Sequence, residues 1–373
     1  MNRSPKIRGN DLLGLTQPEI QVAIGSQLEN IPAYRAKQVY TWLYGRRAKG
    51  FSEMTQLPAD LRSQLERHFT IGSLKLADKS VSTDGTIKFL FELYDGNQIE
   101  SVLIPSEMRD SKGESRRKTL CLSTQVGCPL DCKFCATGSM KLKRNLTTSE
   151  IIQQCFEVER LTGEQITNIV YMGMGEPMLN YENVVKSLRI LTDPELEIIG
   201  AKRITVSTSG LPDEIKKFAR EKLGVKLALS LHATTDELRS KLMPINRAHP
   251  IKELLAAMDE YYHITGIPVT YEYILFEGLN DSDADARRLA KIARRLPSKV
   301  NVIPFHRIDF TNPTGIGAEL HPTSEENFIR FNAVLKTEGV HVMVRSSSGE
   351  DIEAACGQLA LSKLPHPIAL EVS

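Results

Sequence analysis

No stretch of the 373 residues is apolar for long enough to cross a membrane, since none approaches the roughly 18 residues a bilayer requires. The opening residues, Met1 to Ile7, lack the basic-then-apolar pattern of a secretory leader. A cytoplasmic protein without membrane contact is expected. Excess charge is missing too: the formal net charge is +1, so any nucleic-acid surface must come from local basic patches. Cysteine is sparse, and the six residues show no paired spacing. This excludes a disulfide-built framework and points to metal or catalytic use in a reducing compartment. What the chain does have is a hydrophobic content of 41%, enough for a real core, and a length that suits one large α/β domain plus a smaller one.

A further absence is more informative. Four of the six cysteines fall within fifteen positions, Cys121 to Cys135, and Cys128, Cys132 and Cys135 form a C-x₃-C-x₂-C triplet in a short loop. No fourth cysteine completes the set. A structural zinc site takes four protein ligands, and an iron–sulfur cluster used only for electron transfer normally takes four cysteines. Three ligands leave one metal position open, where a small molecule can bind and receive an electron. Zinc remains the alternative, because C-x₂-C pairs are common in zinc modules.

Residues 10 to 75 read as helices, with apolar positions at helical spacing through Val39, Trp42 and Leu43 and again through Leu57, Leu61, Leu65 and Phe69. Between Tyr34 and Lys49, aromatics alternate with five cations. That mixture suits phosphate contacts and base stacking, and equally an amphipathic helix with a solvated face. Residues 85 to 104 switch to period two around Asp95-Gly96, a hairpin signal, and Arg109 to Lys118 reads as an exposed loop. From 118 onward strands and helices alternate. Strand candidates are 118–124, 166–172, 203–208, 225–231, 269–276, 299–305 and 340–345. Helical patterns lie at about 147–162, 180–192, 212–222, 251–264, 282–296 and 324–338. Capping boxes are expected at Thr147 with Glu150 and at Thr323 with Glu326. Repeated βα units imply α/β architecture with a parallel sheet curling into a complete or partial barrel, where chemistry sits on the rim at the strands' C-terminal ends.

The cluster loop falls on that rim. So do the glycine turn Gly173-Met-Gly-Glu-Pro177, with Gly175 and Glu176, and the strand ends carrying Ser207, Ser230, Leu231, His232 and His306. Singly, each is more often a satisfied strand-end residue; together they make a site. The tail after 345 starts on the same rim and brings Cys356 toward the loop, its alternative reading being a small buried cysteine before Gly357. Cys155 sits at an apolar helical position and reads as core.

The triplet with Phe134 before its last cysteine resembles radical S-adenosylmethionine (SAM) enzymes. Adding Cys121, Gly173 to Pro177, Ser230 to Ala233 and Asp351 to Gln358, nearly the whole chain resembles the RlmN family within that superfamily. The resemblance implies a partial (β/α)6 barrel. Residues 1–75 would form a helical RNA-binding domain, 76–110 a connecting hairpin, 111–345 the core and 346–373 a tail with the methyl-accepting cysteine. It implies one 4Fe-4S cluster on Cys128, Cys132 and Cys135, and SAM held by Gly175, Glu176, Ser207, Ser230, Leu231, His232 and His306. The family usually carries asparagine where His306 stands, so that contact departs from the pattern. The implied activity is methylation of adenosine carbon 2 in 23S rRNA, and in some tRNAs, by a monomer drawing electrons from a flavodoxin or ferredoxin. Relatives of the Cfr type modify carbon 8 with the same cysteines.

The resemblance also implies why two further cysteines are needed. Carbon 2 lies between two ring nitrogens and is too electron-poor to attack the SAM methyl. One SAM would methylate Cys356, and a 5′-deoxyadenosyl radical from a second would activate that methyl group for addition to carbon 2. Cys121 would remove the carbon 2 proton and release the product by forming a disulfide with Cys356. A carboxylate proton acceptor maps onto Glu100, which by pattern alone is as easily a solvent-facing strand residue.

Overall fold

The computed structural model describes residues 10–106, 115, 117–344 and 348–361. Most of the loop expected at Arg109 to Lys118 lies outside them. The first elements are α1 (Gln17–Gln27), α2 (Tyr34–Tyr40) and α3 (Ala59–His68). Helix α1 starts at a capping box, Thr16 with Glu19, that the pattern did not flag. The helices, with the π-helical turn Thr41–Gly45 that follows α2, bury Ile20, Ile24, Val39, Leu43, Leu61 and Leu65 in the main hydrophobic cluster. They are pinned to the rest of the chain by polar contacts. Ser149 Oγ donates to Asp11 Oδ2 at 2.7 Å, Tyr40 OH to Asp193 Oδ2 at 2.8 Å, and Lys186 Nζ to Glu19 Oε1 at 2.6 Å.

This docking consumes much of the segment between Tyr34 and Lys49. Tyr40 and Tyr44 are buried, Lys37 pairs with Glu195 at 2.7 Å, and Arg47 pairs with Glu159. Tyr34 remains exposed with the Arg35 guanidinium 4.8 Å from its ring centre. Most of the interleaved aromatics and cations therefore serve packing.

A ten-stranded mixed sheet follows. Strands β1 (Lys75–Val81), β2 (Ile87–Glu92) and β3 (Gln98–Pro105) are antiparallel, and β3 pairs antiparallel with β4 (Lys118–Cys121). Strands β4, β5 (Asn168–Tyr171), β6 (Ile204–Thr208), β7 (Lys226–Ser230), β8 (Val269–Leu275), β9 (Ser298–Pro304) and β10 (Val342–Val344) are parallel. The hairpin expected around Asp95-Gly96 is β2–β3; β1, mostly exposed and without clear alternation, was not legible. The crossovers carry α4 (Thr148–Thr162), α5 (Tyr181–Leu191), α6 (Pro212–Arg220), α7 (Asp236–Leu242), α8 (Ile251–Thr265), α9 (Asp283–Ala293) and α10 (Glu325–Thr337).

Strand order follows chain order across the sheet. Each new strand adds on the same side, so the sheet curls one way instead of reversing, and its linear order leaves it unclosed among the described residues. This is the partial barrel. Both faces are covered, which is why every residue of β8 is buried. Helix α5 buries Val184, Val185, Leu188, Ile190 and Leu191, each contributing about 1.5–3 kcal/mol by leaving water.

The capping box of α4 forms as expected. The one expected at Thr323 and Glu326 does not: Ser324 caps α10 by accepting from Asn327 N at 3.2 Å, while Thr323 Oγ1 donates to Asp281 Oδ2 at 2.5 Å. A hydroxyl with a buried carboxylate in reach outside the helix leaves the cap to its neighbour. Helix α7, only seven residues long, was missed inside the connection after β7.

Candidate active site

The loop after β4 is shaped by backbone contacts before any metal is considered. Cys128 N donates to Met140 O at 3.1 Å, Cys135 N to Cys132 O at 3.1 Å, and Lys133 N to Leu242 O at the end of α7 at 2.9 Å. Gly138 lets the chain pass over the loop: a Cβ there would stand 2.6 Å from Cys132 O. The tail is stitched to the same loop, since Ala136 N donates to Gly357 O at 2.6 Å and Thr137 Oγ1 bonds Leu359 O. The tail also receives Lys88 Nζ on Glu353 O at 3.3 Å and donates Gly349 N to Asp84 Oδ2 at 3.0 Å.

These contacts bring Cys128, Cys132, Cys135 and Cys356 to the wall of one cavity, about 840 Å³ counted out through its open mouth. The same wall carries Gly175, Glu176, Ser207, Ser230 and His232. Cys356 is exposed, so the buried alternative fails. Cys155 is buried in α4 as expected. Leu231 is fully buried and lies behind the wall: its N–H donates to Glu272 O at 3.1 Å. His306 does not line the cavity; its Nδ1 pairs with Glu350 Oε1 of the tail at 3.2 Å. Cys121 is buried in β4, with Val102 and Val170 as its register partners, and also stands behind the lining.

Glu100 is buried, which overturns the solvent-facing alternative. Burial raises its carboxyl above the usual range, while Lys88 Nζ at 3.4 Å and the tail's Leu361 and Ala360 N–H groups pull the other way.

Electrostatics set the character of the cavity. Burial pushes the Cys128 thiol up to about 12 and raises Cys132 and Cys135, and the neighbouring sulfurs add to the rise. Three such thiols ionise together only around a positive centre, which is what a bound metal cluster provides. Among the described residues no three His, Cys, Asp or Glu side chains already close on a single ion. Cys128, Cys132 and Cys135 all line the cavity, three thiols for a metal group with one position left open.

Burial and then the nearby Arg239 charge lower His232 to about 3, so the ring is neutral. Its Nδ1 accepts from Ile274 N at 3.1 Å, which assigns the proton to Nε2. His232 has φ 53°, a left-handed turn that redirects the chain off β7. Glu176 is also raised by burial, though Oε2 accepts from Ser209 N at 2.8 Å and Oε1 from Met178 N at 3.1 Å. Gly175, at φ 98°, could not be replaced there, because a Cβ would meet Gln125 Cβ at 2.5 Å.

Two residues escaped the sequence reading. Arg239 in α7 is wholly buried; its guanidinium donates to the carbonyls of Leu231, Ser209 and Ser230 and to Asn246 Oδ1, bracing the ends of β6 and β7. No local pattern marks it. Glu272 is a cavity residue buried in β8. The signal was available: one carboxylate in the otherwise uncharged run Val269 to Leu275.

Known proteins resemble this chain in sequence and fold. Residues 122–290 match the family model of the radical SAM superfamily, and residues 10–71 that of the ribosomal RNA large subunit methyltransferase N-terminal domain. The chain is 45% identical to a probable dual-specificity RNA methyltransferase RlmN of Thermotoga sp. (strain RQ2), over 95% of this chain and 98% of the relative. It is 44% identical to the dual-specificity RNA methyltransferase RlmN of Geotalea uraniireducens, over 94% and 96%. The crystal structure of a radical SAM methyltransferase from Sphaerobacter thermophilus superposes with TM-score 0.83 at 43% identity, covering 94% of this chain and 99% of that one.

Proposed function

Because the chain belongs to the RlmN family of radical SAM RNA methyltransferases, we propose that it methylates carbon 2 of an adenosine in 23S rRNA and of an adenosine in some tRNAs. The observation that carries this reading is Cys356, remote in sequence yet lining one cavity with Cys128, Cys132 and Cys135.

Radical SAM enzymes use a 4Fe-4S cluster and SAM, and Cys128, Cys132 and Cys135 are the residues that would hold the cluster here. When bound, the pair supplies a methyl group and, on one-electron reduction, a radical able to activate an inert C–H bond. Gly175, Glu176, Ser207, Ser230 and His232 orient the cosubstrate, with the neutral His232 offering its Nε2–H. Cys356 is the methyl carrier: its sulfur holds the group as a thioether until the carbon is passed to the adenine. Cys121 takes the carbon 2 proton and passes it on. Its thiolate then attacks the Cys356 sulfur, the bond between that sulfur and the transferred carbon breaks, and the carbon takes up a proton as the product's methyl group. The Cys121–Cys356 disulfide left behind is reduced by an external thiol before the next turnover. Val102 to Pro105 of β3 pair with Cys121's strand, and on β3 Glu100 is a second proton acceptor, its charge state governed by burial and Lys88. Electrons come from a flavodoxin- or ferredoxin-type protein.

The test is mass spectrometry of digested rRNA and tRNA after anaerobic incubation with the iron-loaded protein. Methyl on carbon 2 supports the reading; methyl on carbon 8 replaces it with the Cfr-type activity. Cys356→Ala is expected to abolish methyl transfer while SAM cleavage continues, and methyladenosine formed by that variant would remove the relay. Iron with acid-labile sulfide excludes a zinc-containing RNA-binding protein.

A further inference from the structure

The segment that carries Cys356 is held on both sides of it, by different parts of the fold. Cys356 stands second in a β-turn from Ala355 to Gln358: Gln358 N donates to Ala355 O at 3.0 Å, and Gly357 in third place has the positive φ, 87°, of a type II turn. Downstream, Gly357 O accepts from Ala136 N of the cluster loop at 2.6 Å, and Gln358 Nε2 donates to Arg307 O at 3.3 Å. Upstream, the partner is the turn between β1 and β2, residues 82–86, and the contact is reciprocal. Asp84 Oδ2 of the turn accepts from Gly349 N of the tail at 3.0 Å. Asp351 Oδ2 of the tail accepts from Thr83 N of the turn at 3.1 Å and from Thr83 Oγ1 at 3.4 Å. Gly349, at φ 73°, fits so closely that a Cβ there would stand 2.8 Å from Thr86 Cγ2.

Ile352 and Ala354 already seat this part of the tail in the main hydrophobic cluster, and apolar contact holds a segment down without fixing the direction it faces. Asp84 and Asp351 are exposed, where a hydrogen bond replaces one to water and adds little stability. What such bonds do supply is direction. We propose that Asp84 and Asp351 are positioning residues for methyl transfer: together they fix the tail upstream of Cys356, so that the methyl group carried on its sulfur points into the cavity. The proposal rests on the assignment of Cys356 as the methyl carrier. Neither carboxylate lines the cavity, so both act through the tail and not on the reacting atoms.

Two substitutions that remove the same charge separate direction from electrostatics. Asp351→Asn keeps a side-chain oxygen for Thr83 N. Asp84→Asn cannot keep both of its bonds, because Asp84 Oδ1 already accepts from Thr86 N at 2.7 Å and one amide oxygen does not serve Thr86 and Gly349 together. Hydrogen–deuterium exchange on the cluster-loaded full chain, kept anaerobic, reads the tail directly. In Asp84→Asn and Asp351→Ala the amides of residues 349–355 are expected to exchange about threefold or more faster than in wild type, and in Asp351→Asn at the wild-type rate.

Turnover with RNA then reads function. The ratio of 5′-deoxyadenosine released to methyladenosine formed is expected to rise severalfold in Asp84→Asn and Asp351→Ala and to stay at the wild-type value in Asp351→Asn, because SAM cleavage continues while the methyl group is out of place. A structural defect would lower both products together. An unchanged ratio in the first two variants would therefore overturn the proposal, whatever the overall rate. So would a raised ratio with wild-type exchange, since the tail would not be what moved. Asp351→Asn as impaired as Asp351→Ala would overturn it too, with charge and not direction as the cause. Asp351→Ala, at an exposed position, keeps the test standing if Asp84→Asn does not fold. Failure of the wild-type chain to form methyladenosine would instead remove the methyl-carrier reading, and this role with it, even where exchange detects the tail contact.

Discussion

At the scale of single residues, the candidate site depends on side chains that are absent as much as on those present. Gly138 crosses the cluster loop so closely that a methyl group would be driven into Cys132 O at 2.6 Å and Cys132 N at 3.0 Å, both backbone atoms that cannot rotate away. Gly138→Ala is therefore expected to displace the Cys132 segment. Overpacking of this kind costs about 1–3 kcal/mol. The fold should survive, with unchanged far-UV circular dichroism, but iron per chain should fall severalfold; full iron content in the variant would count against the close crossing. The cysteine triplet, the glycine turn and the strand-end serines were legible because their chemistry lies in spacing and residue type. Arg239 was not, since a buried arginine that bonds carbonyls of two strands looks in sequence like any helical surface cation.

At the scale of elements, the connection from hairpin to barrel turns on Arg144. Its Nε donates to Asp95 Oδ2 at 2.6 Å, and Nη1 and Nη2 to the two oxygens of Glu150 at 2.8 Å each. The Asp95-Gly96 turn and the α4 capping box, both visible in the sequence, are thus joined by a cation between them that no local pattern singled out. Burial alone would raise the Asp95 carboxyl, but Arg144 and Asn97 hold it down at about 2 against the ordinary 3.8. A depressed folded-state value means the stabilisation is present above pH 3.8 and is lost as pH falls toward 2. Asp95 is exposed, so solvent screening leaves its pairing with Arg144 worth about 0.2–1 kcal/mol. Asp95→Asn should be less stable than wild type by roughly that amount at pH 7, with the gap closing near pH 2 in urea titrations. A gap of constant size across that range would show that charge plays no part.

At the scale of the whole molecule, the cluster loop, the tail and α7 hold one another through backbone hydrogen bonds that need no metal, including Lys133 N to Leu242 O and Ala136 N to Gly357 O. The helical N-terminal elements and the barrel share one hydrophobic cluster. Stripping iron with a chelator under oxidising conditions is accordingly expected to bleach the protein and abolish SAM binding, yet leave circular dichroism unchanged and the melting temperature within a few degrees. Global unfolding on iron loss would mark the cluster as structural. No helix among the described residues is long and apolar enough to cross a membrane.

Local order along the chain determined the succession of strands and helices, because periodicity, capping residues and turn glycines act over a few positions, and it determined the metal-binding loop, because three thiols in eight residues carry their meaning in their spacing. Only the tertiary structure decided that Cys356 faces the cavity while Cys121 and His306 stand outside its lining, that Glu100 is buried against a lysine, and that Glu272 is buried in the cavity wall. Those facts depend on sheet register and on where the tail is tied, and both arise from contacts between residues far apart in the chain.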